Sequence, residues 1–96
     1  MIISFGDKTT SDLFHGISSR HVRKLPNQVH ELALHKLDVI NAAQTLDDLR
    51  SPPGNRLESL KGDFKGHYSI RINSQWRMVF RWEASGAHDI QIMDYH

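Results

Sequence analysis

Five residues of this chain carry the groups that chemistry at a phosphodiester requires. Lys61 in Leu60-Lys61-Gly62-Asp63 and Arg77 in Gln75-Trp76-Arg77-Met78 are cations, and Asp94-Tyr95-His96 close the sequence with groups that exchange protons or orient a phosphate. Phosphoryl transfer needs positive charge against the charge that develops in the transition state, together with a proton donor and acceptor. An isolated polar tripeptide after a strand is ordinarily just the end of that strand. Lys61 and Arg77, each just before or inside another predicted strand, make this one a candidate site.

The elements that must position these groups are legible as changes of period. Pro26 suits a first helical turn, and Val29, Leu32, Ala33, Leu37, Ile40 and Ala43 recur along one helical face, so the main helix is expected to run to about Gln44. Thr45 caps a short further turn, which Ser51-Pro52-Pro53-Gly54 breaks. From His67 the period is two: Tyr68, Ile70 and Ile72 face one way, and after an Asn73-Ser74 turn Trp76, Met78, Phe80 and Trp82 form an aromatic face for the main helix. Ala84-Ser85-Gly86 then turns the chain into a last strand. Upstream, Met1 to Phe5 reads as a first strand, Ser11 to Phe14 as the start of a short helix, and Ser18 to Lys24 as a mobile segment. The order β-α-α-β-β-β specifies an α+β fold with a helical layer on an antiparallel sheet.

This pattern also assigns faces. Arg71, Arg77 and Arg81 leave the core side, so the outer side of the sheet is expected to be electropositive, with Lys61 and Lys65 in the loop entering it. Gly62 beside Lys61 is read as allowing close backbone approach, so that a phosphate could meet a lysine and an arginine together. Strict alternation in the last strand puts Gln91, Met93 and Tyr95 on the arginine side, and Ile90, Ile92, Asp94 and His96 on the other. Asp94 and His96 therefore reach the site only if the strand twists or ends after Met93.

With 96 residues the chain is read as one domain, 1–96, with a single modest core. It has no cysteine, which excludes disulfides and thiolate catalysis, and no apolar run of the roughly 20 residues that span a membrane. Met1-Ile2-Ile3-Ser4-Phe5 lacks the charged start of a signal peptide, so a soluble, cytoplasmic protein is expected. The net charge of +1 is weak for binding naked nucleic acid by charge alone. Among seven histidines, His30 and His35 are five apart and so roughly 140° apart around a helix, where a zinc-protease helix needs four. No metal site and no cofactor is expected.

Leu57-Glu58-Ser59-Leu60-Lys61-Gly62-Asp63, then Gly66-His67-Tyr68-Ser69-Ile70-Arg71, then Trp76-Arg77-Met78-Val79-Phe80 and the terminal Asp94-Tyr95-His96 resemble the HigB-type toxins of the RelE superfamily, the plasmid-maintenance killer proteins. The resemblance spans nearly the whole chain. It implies a RelE-like fold and a bacterial type II toxin that enters the A site of the 70S ribosome and cleaves the translated mRNA. It also implies silencing by a HigA-like helix-turn-helix antitoxin, through which alone the toxin would meet operator DNA, and no membrane partner.

Carried over residue by residue, the family's catalytic site falls on Lys61, Arg77, Asp94, Tyr95 and His96; beside it Lys65, Arg71 and Arg81 are the expected RNA-binding cations. Some relatives have a histidine where this chain has Glu58, which makes Glu58 a candidate for part of the general-base role. The implied chemistry is metal-free attack of a 2′-hydroxyl on its own phosphate, with His96 as acid or base, Asp94 orienting it and Tyr95 holding a nucleotide. The α-carboxylate expected on His96 would favour its protonated ring. Two alternatives stand beside this reading: a ParE-like gyrase poison, and a degenerate toxin that only binds its antitoxin.

Overall fold

Alternating residues build the centre of the sheet in the computed structural model, in which residues 1–94 are described; Tyr95 and His96 lie outside them. Strands β1 (Glu58–Ser59), β2 (His67–Arg71), β3 (Trp76–Glu83) and β4 (Gly86–Asp94) pair antiparallel in sequence order. Asn73 makes the turn between β2 and β3: its Oδ1 accepts from the backbone N–H of Gln75 at 2.9 Å and of Trp76 at 2.8 Å. The two-residue strand β1 has no period to betray it in the sequence, and is held through its pairing of Glu58 with Ser69 and Ser59 with Tyr68.

Helices α1 (Lys8–Phe14), α2 (Arg20–Arg23) and α3 (Asn27–Ala42) cover one face. Helix α1 begins before Ser11 because Asp7 caps it, its carboxylate accepting from Thr10 N–H at 2.9 Å. The segment read as mobile contains α2 instead, capped by the Ser19 hydroxyl on Val22 N–H and closed by His30, whose Nε2 lies 2.9 Å from Val22 O and 3.1 Å from Leu25 O. That bond explains His30 as a structural residue. On α3, Val29, Ala33, Leu37 and Ile40 are buried against Ile70, Met78, Phe80 and Ile90. Leu32 is 42% exposed, contrary to its expected core position, because it lies at the margin of the stripe defined by those four. The expected cap at Thr45 is present as a full capping box with Asp48, whose accepted backbone bonds from Thr45 and Gln44 hold its carboxyl below the ordinary value.

The N-terminal segment departs from the expected strand. It runs parallel to β4 but bridges it only at Ile2 with Ala87 and Phe5 with Ile90. The reason lies in β4, where Asp89 takes φ +54° and the pairing with β3 shifts register between Val79 and Arg81. This bulge interrupts the edge that the N-terminal segment would follow, and lets both Ala87 and Ile90 enter the core although they are three residues apart. The Ser4 hydroxyl fills the gap by accepting from Asp89 N–H at 2.9 Å.

Candidate active site

Residues 49–58 carry the chain from beneath α3 to the outer side of the sheet. Asn55 is fully buried at the pivot, donating to Leu49 O and Ser51 O at 3.3 Å and accepting from Lys36, whose ammonium burial pushes below its ordinary pKa. The chain then reverses at Arg56, which takes the left-handed φ of +47°. A non-glycine residue there costs on the order of 1 kcal/mol, which its surroundings must offset. The offset is visible: Arg56 O accepts from an Nη of Arg77 at 2.7 Å.

Arg77 is thereby tied from several directions. Its Nε donates to Ser69 Oγ at 2.8 Å, the Nη that meets Arg56 O also reaches Ser69 O at 3.4 Å, and Glu58 lies 4.0 Å away. Only 8% of the residue is exposed, so Arg77 is a buried, positioned guanidinium and not the solvated outer-face arginine that alternation suggested. Ser69 and Val79, also on the outer side, are fully buried with it. A buried arginine cannot shed its charge, and three acceptors with a nearby carboxylate are what permits its burial.

Above Arg77 opens a cavity of about 220 Å³ lined by Arg56, Glu58, Arg71, Asn73, Ser74 and Arg77. Arg71 faces Arg77 directly across β2 and β3. Three guanidinium groups therefore converge on one cavity with, among the described residues, one carboxylate, Glu58, which is half exposed. Lys61 belongs to a second cavity of about 430 Å³, with Ser59, Gly62, Lys65, His67 and Tyr68. Among the described residues the two cavities share no lining residue, and the two residues of β1 divide between them, Glu58 in one and Ser59 in the other. Lys61 and Lys65 are both exposed, and Gly62 holds φ +65° with open space around it, so this glycine serves a left-handed turn and not a close approach.

The remaining expected residues divide differently. Arg81 is engaged by two carboxylates, Asp89 at 2.8 Å and Glu83 at 2.6 Å, and its hydrogen bond holds the Asp89 carboxyl below the ordinary range. Asp94 pairs with Trp76 in the β3–β4 register and accepts from the Gln75 side chain at 3.1 Å, so it shares the side of Trp76 and not that of Arg77, as alternation implied. Tyr95 and His96 are outside the described residues. Among the described residues no three His, Cys, Asp or Glu side chains cluster as a metal site would require, and no helix is long and apolar enough to cross a membrane. Sequence reasoning did not single out Ser69 or Arg56. Ser69 could have been found from its place on the arginine side of β2; the carbonyl role of Arg56 has no sequence signal.

The description of the family that matches residues 3–96 is the RelE-like toxin of the type II toxin-antitoxin system HigB. The chain belongs to the HigB-like toxin family. Toxin HigB-1 of Vibrio cholerae serotype O1 is 43% identical over 82 residues, covering 85% of this chain and 84% of the relative. Endoribonuclease HigB of Proteus vulgaris is 31% identical over 97 residues and matches both chains over their full length. The YoeB-YefM complex from Staphylococcus aureus contains a chain that superposes with a TM-score of 0.62 at 17% identity, covering 100% of this chain and 98% of that one, a likeness of fold. This HigB-like protein is thus a toxin of a type II toxin-antitoxin system with a RelE-like α+β fold.

Proposed function

We propose that this HigB-like toxin is an endoribonuclease that cleaves mRNA on the ribosome. The observation that carries the proposal is the convergence of Arg56, Arg71 and the buried Arg77 with Glu58 in one cavity; the full-length relative in Proteus vulgaris named an endoribonuclease supports it. In the reaction, a base removes the proton of the 2′-hydroxyl beside the scissile bond, the resulting oxygen attacks the adjacent phosphorus, and the P–O5′ bond breaks as an acid protonates the leaving oxygen. Charge grows on the non-bridging oxygens, where a fixed guanidinium is worth most because it needs no reorganisation.

Arg77 is assigned to that charge. Glu58, half exposed and 4.0 Å from Arg77, is assigned to the base. His96 is assigned to proton donation, since an imidazole with an unperturbed pKa near 6.5 can hold a proton at neutral pH. Asp94 orients it, and Tyr95 stacks on or orients a nucleotide. Lys61 supplies a second cation from its own cavity, and Lys65, Arg71 and Arg81 follow the RNA backbone, with Arg81 contributing least because Asp89 and Glu83 already engage it.

The net charge of +1 suits an enzyme that relies on the 70S ribosome to deliver mRNA into the A site. The further partner is a HigA-like helix-turn-helix antitoxin, which brings operator DNA; the working compartment is the bacterial cytoplasm. Primer extension on mRNA in a translating extract tests the proposal against Arg77→Ala and His96→Ala. Frame-dependent cuts by the wild-type protein, lost in both variants, are expected. Equal cutting of naked RNA removes the ribosome from the reading, and absence of cuts alongside inhibition of DNA supercoiling reassigns the protein as a gyrase poison.

A further inference from the structure

His67 is a polar group of β2 that neither the core nor the arginine cavity uses. Its Nδ1 is buried without a hydrogen-bond partner, and Phe64 holds the ring edge-on, with 5.4 Å between centroids and 88° between planes. Buried N–H groups without an acceptor are rarer in folded proteins than unpaired acceptors, so the ring proton is assigned to Nε2. With Nδ1 turned inward, the opposite edge of the imidazole, carrying that N–H, faces the 430 Å³ cavity that His67 lines.

That cavity is short of fixed acceptors. The ammonium groups of Lys61 and Lys65 stand exposed at it, and no carboxylate is among the described residues that line it. The carbonyl oxygens of Lys61, Gly62 and His67 already accept from the N–H groups of Phe64, Lys65 and Leu60, at 3.3, 3.1 and 2.8 Å. The hydroxyls of Ser59 and Tyr68 can turn either way, and Leu60 and the Tyr68 ring supply apolar wall. A flat ligand with two acceptors along one edge matches this lining. Guanine has N7 and O6 side by side, whereas adenine sets an amine beside N7, cytosine presents an amine, and uracil has no second acceptor beside O4.

We propose that the lysine cavity is a nucleobase pocket selective for guanine, in which His67 Nε2–H and the Lys65 ammonium donate to N7 and O6 of one unstacked base of the mRNA. This rests on the nuclease reading and deepens it by naming the base that the toxin selects. An ammonium has three donors, so Lys65 can serve the base and the backbone of one nucleotide. Because Glu58 and Ser59 are consecutive and line different cavities, the base that is read lies near the nucleotide that is cut.

The test is NMR titration of the labelled protein at low salt with 2′-O-methylated uridine pentamers that carry one variable central base, so that cleavage does not intervene. The guanine pentamer should bind roughly 10-fold more tightly than the adenine one, within the range of a bidentate base contact, with the His67 ring signals shifting. Hypoxanthine, which keeps N7 and O6, should match guanine, and 7-deazaguanine, which lacks N7, should fall to the level of adenine. His67→Phe keeps a flat ring beside Phe64 without a donor and should bind all four pentamers alike, with thermal melting to verify its fold. His67→Asn, which restores an N–H donor, should recover part of the preference.

Equal binding of guanine and adenine by the wild-type protein, or of guanine and 7-deazaguanine, overturns the pocket whether or not either variant folds. So does a preference that survives in folded His67→Phe, or an absence of binding at low salt. Cleavage in the translating extract is scored separately. Guanine preference without cuts by the wild-type protein keeps the pocket and removes the nuclease reading, whereas cuts without guanine preference keep the nuclease reading and remove the pocket.

Discussion

Arg77 reaches diagonally from β3 to Ser69 on the adjacent β2, its Nε donating to the buried serine Oγ at 2.8 Å. The bond fixes one edge of the guanidinium, while Arg56 O fixes another at 2.7 Å. Ser69 is therefore a positioning residue for the charge that the proposed reaction requires, although it touches no substrate itself. Ser69→Ala leaves a buried N–H without its acceptor, and an orphaned buried polar group costs about 1–3 kcal/mol. Chemical denaturation should show that loss, and mRNA cleavage should fall chiefly in kcat. Ser69→Thr, which keeps the hydroxyl, should recover most of the cleavage; failure to recover it would assign the effect to packing alone.

Glu58 separates binding from chemistry. In Glu58→Gln the cavity keeps its shape but loses its carboxylate, so RNA affinity should stay level or rise while cleavage drops by roughly 10²-fold or more, the range of general-base contributions. Single-turnover cleavage and anisotropy on the same variant measure the two effects. Parallel loss of both would place Glu58 among the structural supports of Arg77.

Acid should loosen the far end of the arginine side before the core. The Asp89 carboxyl is held low first by its bond from Arg81, with the Ser4 hydroxyl adding a smaller share. A carboxyl whose folded pKa is depressed contributes stability above its unfolded value, near 3.9, and surrenders it as pH falls through the folded value. Melting temperature measured between about pH 5 and pH 2 should therefore fall less steeply in Asp89→Asn than in the wild-type protein, the difference closing at the acid end. Parallel curves would show that the Arg81 bridge adds nothing to folding.

The N-terminal segment depends on a glycine. Gly86 sits at φ +133°, and a Cβ there would stand 2.2 Å from Met1 O, the same oxygen that accepts from Ala87 N–H. Gly86→Ala should thus combine backbone strain with loss of that contact, for about 1–3 kcal/mol. Hydrogen exchange should show the Ile3 and Ala87 amides losing protection together. Retained protection at both would mean that the segment shifts to accommodate the methyl group.

Much of the architecture was decided by the order of residues along the chain. Local period marks α3 through Val29, Ala33, Leu37 and Ile40, marks β2 and β3 through their apolar alternation, and marks the turn at Asn73, because helix faces, strand faces and capping bonds depend on neighbours within a few residues. Membership of the family is likewise legible in the sequence, over residues 3–96. What only the tertiary structure decided is how those residues meet. Arg77 looked solvated because alternation reports a side of the sheet and not what covers it; its burial comes from Arg56, distant in sequence, folding over the sheet through the buried Asn55. Lys61 looked like its partner, yet β1, too short to carry a period, assigns the two to different cavities. The bulge at Asp89, which admits Ala87 and Ile90 together to the core, arises from pairing with β3. Long-range contacts select among conformations that local pattern leaves equal, and the candidate site is assembled almost wholly from such contacts.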